Sequence, residues 1–353
     1  MPTFPAPVLI EFVTDLFRKA GVPDRDARIV SESLVGSNLR GHDSHGVMRV
    51  PQYVGFLEKG EYKTNVEMKI EHESPAVIVA DGQWGFGQVQ AHRLLDLIIP
   101  KARAVGLAAG SARNFGHIGR LGEYAEKAAE QGLILIATVN NCGAGQRVAP
   151  PGGVAPRLGT NPLCAAVPTD GEPVVLDFGT SVVAEGKVRV HHINKRPVPD
   201  GWLLDSQGHP TNDPSVLYQE PLGSILPMGG AQAYKGFGLA MILDVLSSGL
   251  SGGRVAHPGA PPAKGNNVLF IAFAPEHFAG SEILLGESTG LVNYLRDTPR
   301  APGVDRITLP GDPERTMLAT RSVQGIPLEA AHWEKLVELA ARLGGSAPSP
   351  SPA

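Results

Sequence analysis

The sequence predicts an α/β fold, with a sheet domain in the middle of the chain and a helical domain assembled from its two ends. Three observations carry that expectation. Short apolar runs alternate with helical-period segments through the middle of the 353 residues, the runs lying at 76–80, 107–112 and 133–139. Amphipathic helical repeats stand at both ends of the chain. Gly and Pro are abundant, 43 and 31 residues, which favours short elements joined by tight connections over a long-helix bundle.

In chain order, Val8, Leu9, Phe12, Val13, Leu16 and Phe17 recur at helical spacing. Gly21 ends that helix, and Pro23-Asp24 opens another running to about Arg40. A strand at 76–80, a helix at 88–105 and a strand at 107–112 follow, then a helix at about 118–131 and a strand at 133–139. Later strands are expected at 163–167, 174–177 and 268–273, with a short one before the Pro310-Gly311 turn and a helix at 236–247 among them. Residues 328–343 form a strongly amphipathic helix whose apolar stripe suits packing on the N-terminal pair. The expected domains are therefore 1–70 with 313–343 (helical) and 71–312 (α/β). The Gly/Ser/Pro-rich segment 344–353 reads as a disordered tail.

Composition narrows the function. A net charge of -4 without a long basic run argues against nucleic acid as the main partner. No apolar run reaches the roughly 18 residues that span a bilayer, and no basic segment precedes an apolar one at the N-terminus, so no secretory leader is expected. Cys142 and Cys164 lack metal-ligand spacing and read as reduced structural thiols of a cytoplasmic enzyme.

The densest chemistry lies at 37–53. His42, Ser44, His45, Arg40, Arg49 and Tyr53 crowd a segment in which Gly41 and Gly46 permit tight backbone geometry. A proton-transfer group beside fixed positive charge suits a small carboxylate with a reactive neighbouring carbon. A polar surface turn would have the same composition. Other candidate segments follow strands, where ligands gather in α/β sheets. His117 follows the strand at 107–112, as general acid, base or donor, or else as a capping histidine. Thr160 and Asn161 enter the strand at 163–167 and suit carboxylate or phosphate oxygens, or simply an Asn-Pro turn. Asp177 ends a strand and either orients a histidine or caps a helix. Lys187 reads as a solvated charge. Lys235 opens an apolar helix, where a cation is unfavourable without an anion nearby. The Gly85-Phe-Gly87-Gln-Val-Gln90 turn misses the dinucleotide fingerprint, because Gln90 stands at its third small position. It reads as a plain strand-to-helix turn. His42, His45 and the pair His191-His192 raise metal binding, but no acid or cysteine completes a familiar ligand set. No serine-hydrolase elbow is present.

Six segments, in order, resemble the type-2 malate/L-lactate dehydrogenase family: Gly41-His-Asp-Ser-His-Gly-Val-Met-Arg49, Asn114-Phe-Gly-His-Ile-Gly119, Gly159-Thr-Asn-Pro162, Leu176-Asp-Phe-Gly-Thr-Ser181, Lys235-Gly-Phe-Gly238 and Leu309-Pro-Gly-Asp312. Together they extend the resemblance over about 8–343. It implies a non-Rossmann, mixed-sheet NAD(P)-binding domain, a helical domain from both ends, and intimate homodimers with active sites near the interface. Relatives act on malate, lactate, sulfolactate, ureidoglycolate, diketogulonate and cyclic imino acids. By the same resemblance, Ser44 and His45 are the catalytic pair, Asp177 the acid completing a relay, and His117 an alternative base. Arg49 and Thr160 hold the substrate carboxylate. Asn141, Leu176, Asp177, Phe178, Gly179, Thr180, Lys235, Pro310, Gly311 and Asp312 contact the cofactor. The sequence departs from the family at Ile118, where a Phe is usual, and at Arg120, where a small residue is usual.

The expected activity is hydride transfer between NAD or NADP and a small 2-hydroxy acid or 2-oxo acid, with His45 or His117 moving the hydroxyl proton. Two alternatives stand beside it: reduction of a cyclic imino acid by NADPH, and a metal-dependent hydrolase or lyase built on His42 and His45. A binding relative without catalysis is a third class.

Overall fold

The structure, a computed structural model, describes residues 1–260, 262 and 264–351. A two-residue strand β1 (Thr3–Phe4) precedes α1 (Ala6–Lys19), α2 (Asp24–Leu39) and α3 (Val50–Glu58), with two 3₁₀ turns, Asp43–His45 and Val47–Arg49, between the last two. Then come β2 (Lys69–Glu73), β3 (Val77–Asp81), α4 (Gly87–Val105), β4 (Leu107–Gly116), α5 (Gly122–Ala129) and β5 (Ile134–Asn140). β6 (Pro162–Val167), β7 (Val174–Gly179) and α6 (Glu185–Ile193) follow, then the short strands β8 (Leu203–Leu204), β9 (Pro210–Thr211) and β10 (Ser224–Ile225). The chain continues through α7 (Ala233–Gly249), β11 (Gly265–Phe273), α8 (Ser281–Arg296), α9 (Asp312–Gln324), β12 (Ile326–Pro327) and α10 (Ala330–Arg342).

The main sheet has seven strands in the order β2-β3-β4-β11-β5-β6-β7. β3 and β4 are parallel, with α4 as their crossover, and the other neighbours are antiparallel. This mixed sheet has none of the doubly wound order of a Rossmann domain. Its core is small-residue rich: Ala91, Ala102, Ala108, Ala112, Ala125, Ala128 and Ala137 let α4 and α5 lie close to the strands, around Leu94, Ile98, Phe115, Tyr124 and Phe270. A second core joins the two chain ends. Leu9, Val13, Leu16 and Phe17 of α1 and Val30 and Leu34 of α2 pack with Ile326, Leu336 and Leu339 from the far end. β1 pairs with β12 to close the arrangement.

Several expectations need correction. The helix predicted from about 118 begins at Gly122, because Gly119 is in the left-handed region (φ 76°) and breaks the run. No strand precedes Pro310 among the described residues. α3, α6, α8 and α9 were not anticipated. The glycine turn before α4 serves packing: a Cβ at Gly87 would collide with the backbone of Gly116 and His117. The tail segment is described as far as Ser351, whose N–H donates to Thr3 O at 2.8 Å. Residues 352 and 353 lie outside the described residues. No described helix is long and apolar enough to cross a membrane.

α7 is inverted relative to an ordinary surface helix. Its sheet-facing side carries Asp244, Ser247 and Ser248, all buried. Asp244 accepts from Asn140 Nδ2 (3.0 Å), Asn161 Nδ2 (3.1 Å) and Ala256 N (2.8 Å), so the buried carboxylate is satisfied. The opposite side exposes Met241, Ile242 and Val245.

Candidate active site

The strip after α2 is held open by side chains from both chain ends. Asn38, the buried penultimate residue of α2, donates to Asp43 Oδ1 (2.6 Å) and accepts from Val47 N (2.8 Å). Arg321 of α9 grips both oxygens of Asp43 at 2.7 and 3.0 Å. His42 Nε2 meets Glu314 Oε1 of α9 at 3.1 Å, which holds that carboxyl below its usual value. His42 is thereby engaged with α9 and not paired with His45. Among the described residues no three metal-ligating side chains cluster, at His42/His45 or at His191/His192.

Within this frame His45 and His117 stack, ring centroids 5.4 Å apart at 26°. They come from opposite units, His45 from the helical end and His117 from the loop after β4. Ser44 Oγ lies 3.0 Å from His45 Nδ1. Gly186, in the first turn of α6, leaves room for Ser44, since a Cβ there would come 2.7 Å from the Ser44 Cβ. Arg49 donates through Nε to Ser44 O (2.7 Å) and through Nη1 to Gln52 Oε1 (2.9 Å), while Nη2 has no hydrogen bond among the described residues.

His45, His117 and Arg49 are surrounded by protein yet each keeps partial solvent contact, the condition of side chains lining a deep cleft. Burial, then Arg49, His42 and Arg120, pulls His45 down to about 3. His117 falls well below its usual value through burial, then Arg49 and His45. Both rings are therefore neutral in the free protein at neutral pH. A carboxylate bound at Arg49 would offset the largest electrostatic cause of the His45 depression. Two cavities of about 300 and 260 Å³ lie elsewhere, along the α2–α4–α5 seam beside Glu32, Glu123 and Lys127, and neither is lined by the histidine pair.

Other expected residues make no hydrogen bond to this pair among the described residues. Asp177 Oδ2 accepts from Gly122 N at 2.7 Å and has no hydrogen bond to His45. Burial pushes its carboxyl up, against the pull of Arg120 and His42. Thr160 O accepts from Thr180 N (3.0 Å) and Thr180 Oγ1 (3.1 Å), and no hydrogen bond joins Thr160 to Arg49. Sequence reasoning missed Tyr62 and Gln88 and left Tyr53 without a task. Tyr53 Oη is 2.7 Å from His117 Nδ1, Gln88 Nε2 donates to Tyr53 Oη (3.2 Å), and His117 N donates to Tyr62 Oη (2.8 Å). The partner of the Tyr53 phenol lies 64 residues away in sequence, and nothing local marks Tyr62 or Gln88.

The residues expected at the cofactor are distributed along β7, an edge strand. At its start Val175 N donates to Pro310 O (3.4 Å), bringing the Pro310–Gly311 turn alongside. At its end Met228 N donates to Thr180 O (3.0 Å), and Gly236, which has no space for a Cβ beside Met228, seats the start of α7 and Lys235 there. Asn141 Oδ1 accepts from Asn266 Nδ2 (3.2 Å) at the neighbouring end of β5. Five strand residues separate these ends, roughly 15 Å, so the edge suits an extended dinucleotide. Lys235 is exposed in the first turn of α7 and forms no ion pair among the described residues. An anion such as a phosphate suits that position. The Asp312 carboxylate is already occupied by Leu309 N (2.9 Å), Arg315 (2.7 Å) and Arg296 (3.0 Å), which hold it at about 2. Its part there is to shape the turn.

A partly exposed histidine pair beside a guanidinium, on a mixed sheet without Rossmann order, suits acid–base chemistry on a small carboxylate. The chain belongs to the malate/L-lactate dehydrogenase family, whose sequence pattern matches residues 4–337. It is 37% identical to malate dehydrogenase of Pyrococcus abyssi, over 96% of this chain and 94% of the relative. Sulfolactate dehydrogenase of Methanocaldococcus jannaschii superposes with a TM-score of 0.87 at 32% identity, covering 98% of each chain. Δ1-piperideine-2-carboxylate reductase of Pseudomonas syringae superposes with a TM-score of 0.80 at 32% identity, covering 96% of this chain and all of the other. The protein is thus an NAD(P)-dependent oxidoreductase of the hydroxy-acid dehydrogenase type.

Proposed function

We propose that this enzyme interconverts a small 2-hydroxy acid and its 2-oxo acid, of the malate or lactate kind. Arg49 carries the reading: it is anchored to the Ser44 carbonyl within one residue of His45, with Nη2 left for a carboxylate. A planar guanidinium suits a carboxylate bidentately, and that pairing sets the adjacent carbon next to the histidines. The histidine pair takes up or gives the hydroxyl proton, and Ser44 holds His45 in place. Lys235, the Leu176–Thr180 segment and the Pro310–Gly311 turn would hold the cofactor, with Asn141 at the neighbouring strand end. When bound, the nicotinamide supplies or accepts hydride at the substrate carbon.

A second reading, reduction of a cyclic imino acid, is favoured by the likeness to the piperideine carboxylate reductase and by the altered Ile118 and Arg120 beside His117. Following reduced-nicotinamide absorbance with a panel of 2-oxo acids and cyclic imines, each with NADH and NADPH, tests both. Oxidation with a 2-oxo acid and indifference to chelator support the first reading. Oxidation with cyclic imines alone supports the second. Turnover that needs metal and consumes no nicotinamide overturns both.

Assembly as a homodimer belongs to the same proposal. The outward faces of α7 and α8 carry Met241, Ile242, Ile283, Leu291 and Tyr294, and α8 buries no residue within its own chain. An apolar surface of that kind in a soluble enzyme fits a partner subunit.

A further inference from the structure

We propose that His117 acts as a fixed hydrogen-bond donor, not a proton carrier, that the Gly119 amide and Tyr53 fix it so, and that the reaction's proton passes through His45. The proposal rests on the reading of the chain as a 2-oxo acid reductase and divides labour between its two histidines.

The decisive contact is Gly119 N–H to His117 Nδ1, 3.2 Å. A peptide nitrogen has a proton and no lone pair to offer, so the ring nitrogen facing it must be the acceptor. Because Nδ1 already accepts from the Gly119 amide and carries no proton, Tyr53 Oη, 2.7 Å from the same nitrogen, meets it as a donor while itself receiving Gln88 Nε2. The His117 carbonyl, 3.5 Å from the phenol, is a longer alternative acceptor. Two donors thus converge on Nδ1. The proton of the neutral ring therefore sits on Nε2, and a second proton would have to enter Nδ1 against an amide N–H. Among the described residues no carboxylate acts on the ring to offset that. The charged or titratable groups around His117 are Arg49, His45, Tyr53 and Tyr62, and its backbone N–H is held by the Tyr62 phenol. A neutral Nε2–H can polarise a carbonyl. It cannot give its proton away without leaving an imidazolate.

His45 is held differently. Its Nδ1 faces the Ser44 hydroxyl at 3.0 Å. A hydroxyl donates to a bare nitrogen or accepts from a protonated one by rotating, so Ser44 follows His45 through both states. The charged or titratable groups facing His45 are Arg49, His42 and Arg120, with His117 stacked on it. A substrate carboxylate on Arg49 answers the one that acts on His45 most strongly. With the carboxylate bound, His45 first takes a proton from water and becomes the imidazolium, Ser44 accepting from its Nδ1–H. In the reducing direction the carbonyl π pair then moves onto oxygen as carbon gains hydride, that oxygen takes the Nε2 proton, and the N–H bonding pair stays on a ring left neutral. His117 hydrogen-bonds the same oxygen throughout and ends unchanged.

Nitrogen–proton correlation spectra of the full-length enzyme with isotope-labelled histidine, free of cofactor and substrate, read the tautomer directly. His117 is assigned as the signal lost in His117→Gln. The expected result is a bare Nδ1 and a protonated Nε2 from mildly acidic to mildly alkaline pH. In Tyr53→Phe the Nδ1 resonance should move toward that of a free imine nitrogen while Nε2 keeps its proton. A proton on Nδ1, or uptake of a second proton across the usual histidine range, overturns the proposal. Kinetics give an independent arm. His117→Gln keeps an N–H donor but cannot titrate, and should retain the pH-dependent limb of kcat/KM. His45→Gln should lose on the order of 10²–10⁴ in kcat and leave a residual rate without that limb. The reverse pattern overturns the assignment. If no 2-oxo acid or imine is turned over, the functional reading fails while the spectra still decide the tautomer.

Discussion

Arg49 Nε donates to the Ser44 carbonyl at 2.7 Å, tying the candidate carboxylate-binding cation to the residue that also holds His45. Binding and proton transfer therefore share one short piece of backbone, pinned by Asn38 and by Arg321. Arg49→Lys keeps the charge but loses the planar fork, so one charge-assisted hydrogen bond, about 1.5–3 kcal/mol, is lost. Steady-state kinetics should show kcat/KM for the 2-oxo acid down roughly 10- to 100-fold. A change under about threefold removes Arg49 from substrate binding.

The depressed histidines make stability depend on pH in a defined window. Both rings are held neutral in the folded chain, His45 at about 3 against an ordinary value of 6.5, with burial the first cause. The unfolded chain binds more protons below about 6.5, so stability is full above that value and falls as the solution is acidified. The depressed carboxyls, Glu123 at about 2 with an ordinary value of 4.5, begin to act the same way only lower. Asp177, pushed up by burial, works in the opposite sense. Thermal midpoints measured between pH 6.5 and 4.5 should fall with acidification in the wild type. The slope should flatten in the double substitution His45→Gln, His117→Gln. An unchanged slope would show that neither ring is neutral in the fold.

Periodicity made the terminal helices, α4 and most of the sheet strands legible, because each buries one face and so carries a repeat. It failed for α8, whose apolar residues do not face its own chain, and for β2, whose five residues are all exposed. The site was legible where chemistry is compressed into one segment, as for Ser44, His45 and Arg49. Tyr62 and Gln88 were invisible because they join His117 and Tyr53 only through tertiary contacts, 55 and 35 residues apart in sequence.

Arg120, one of the departures from the family pattern, is 3% exposed, and its Nε and Nη1 have no hydrogen-bond partner. Its compensation is Glu126, which takes Nη2 at 2.7 Å and is shared with Arg40 at 3.0 Å. Glu126→Gln removes the carboxylate that hydrogen-bonds this buried guanidinium, leaving Asp177 and Glu123 as its remaining counter-charges, and should destabilise by on the order of 1–3 kcal/mol in denaturant unfolding. Arg120→Met, which removes the charge and keeps the bulk, should cost much less and can be neutral. Equal losses in the two variants would contradict this account.

The inverted α7 and the unburied α8 lead to a test of assembly. Leu291 and Tyr294 are 58% and 76% exposed on one chain. Leu291→Arg together with Tyr294→Glu should convert a dimer to a monomer in sedimentation velocity while far-ultraviolet dichroism stays native. A wild-type chain that sediments as a monomer at micromolar concentration discards the dimer.

Lys235 stands in the first turn of α7, where the helix dipole disfavours a cation, and no carboxylate pairs with it among the described residues. Under the proposed cofactor placement along β7, a dinucleotide phosphate is the anion that suits this position. Lys235→Gln should weaken binding of the reduced cofactor about tenfold, one charge-assisted contact, when followed by nicotinamide fluorescence. The difference between wild type and variant should shrink as salt is raised, since the contact is solvent-exposed. Binding unchanged at low salt would place the phosphates away from α7 and leave Lys235 a surface charge.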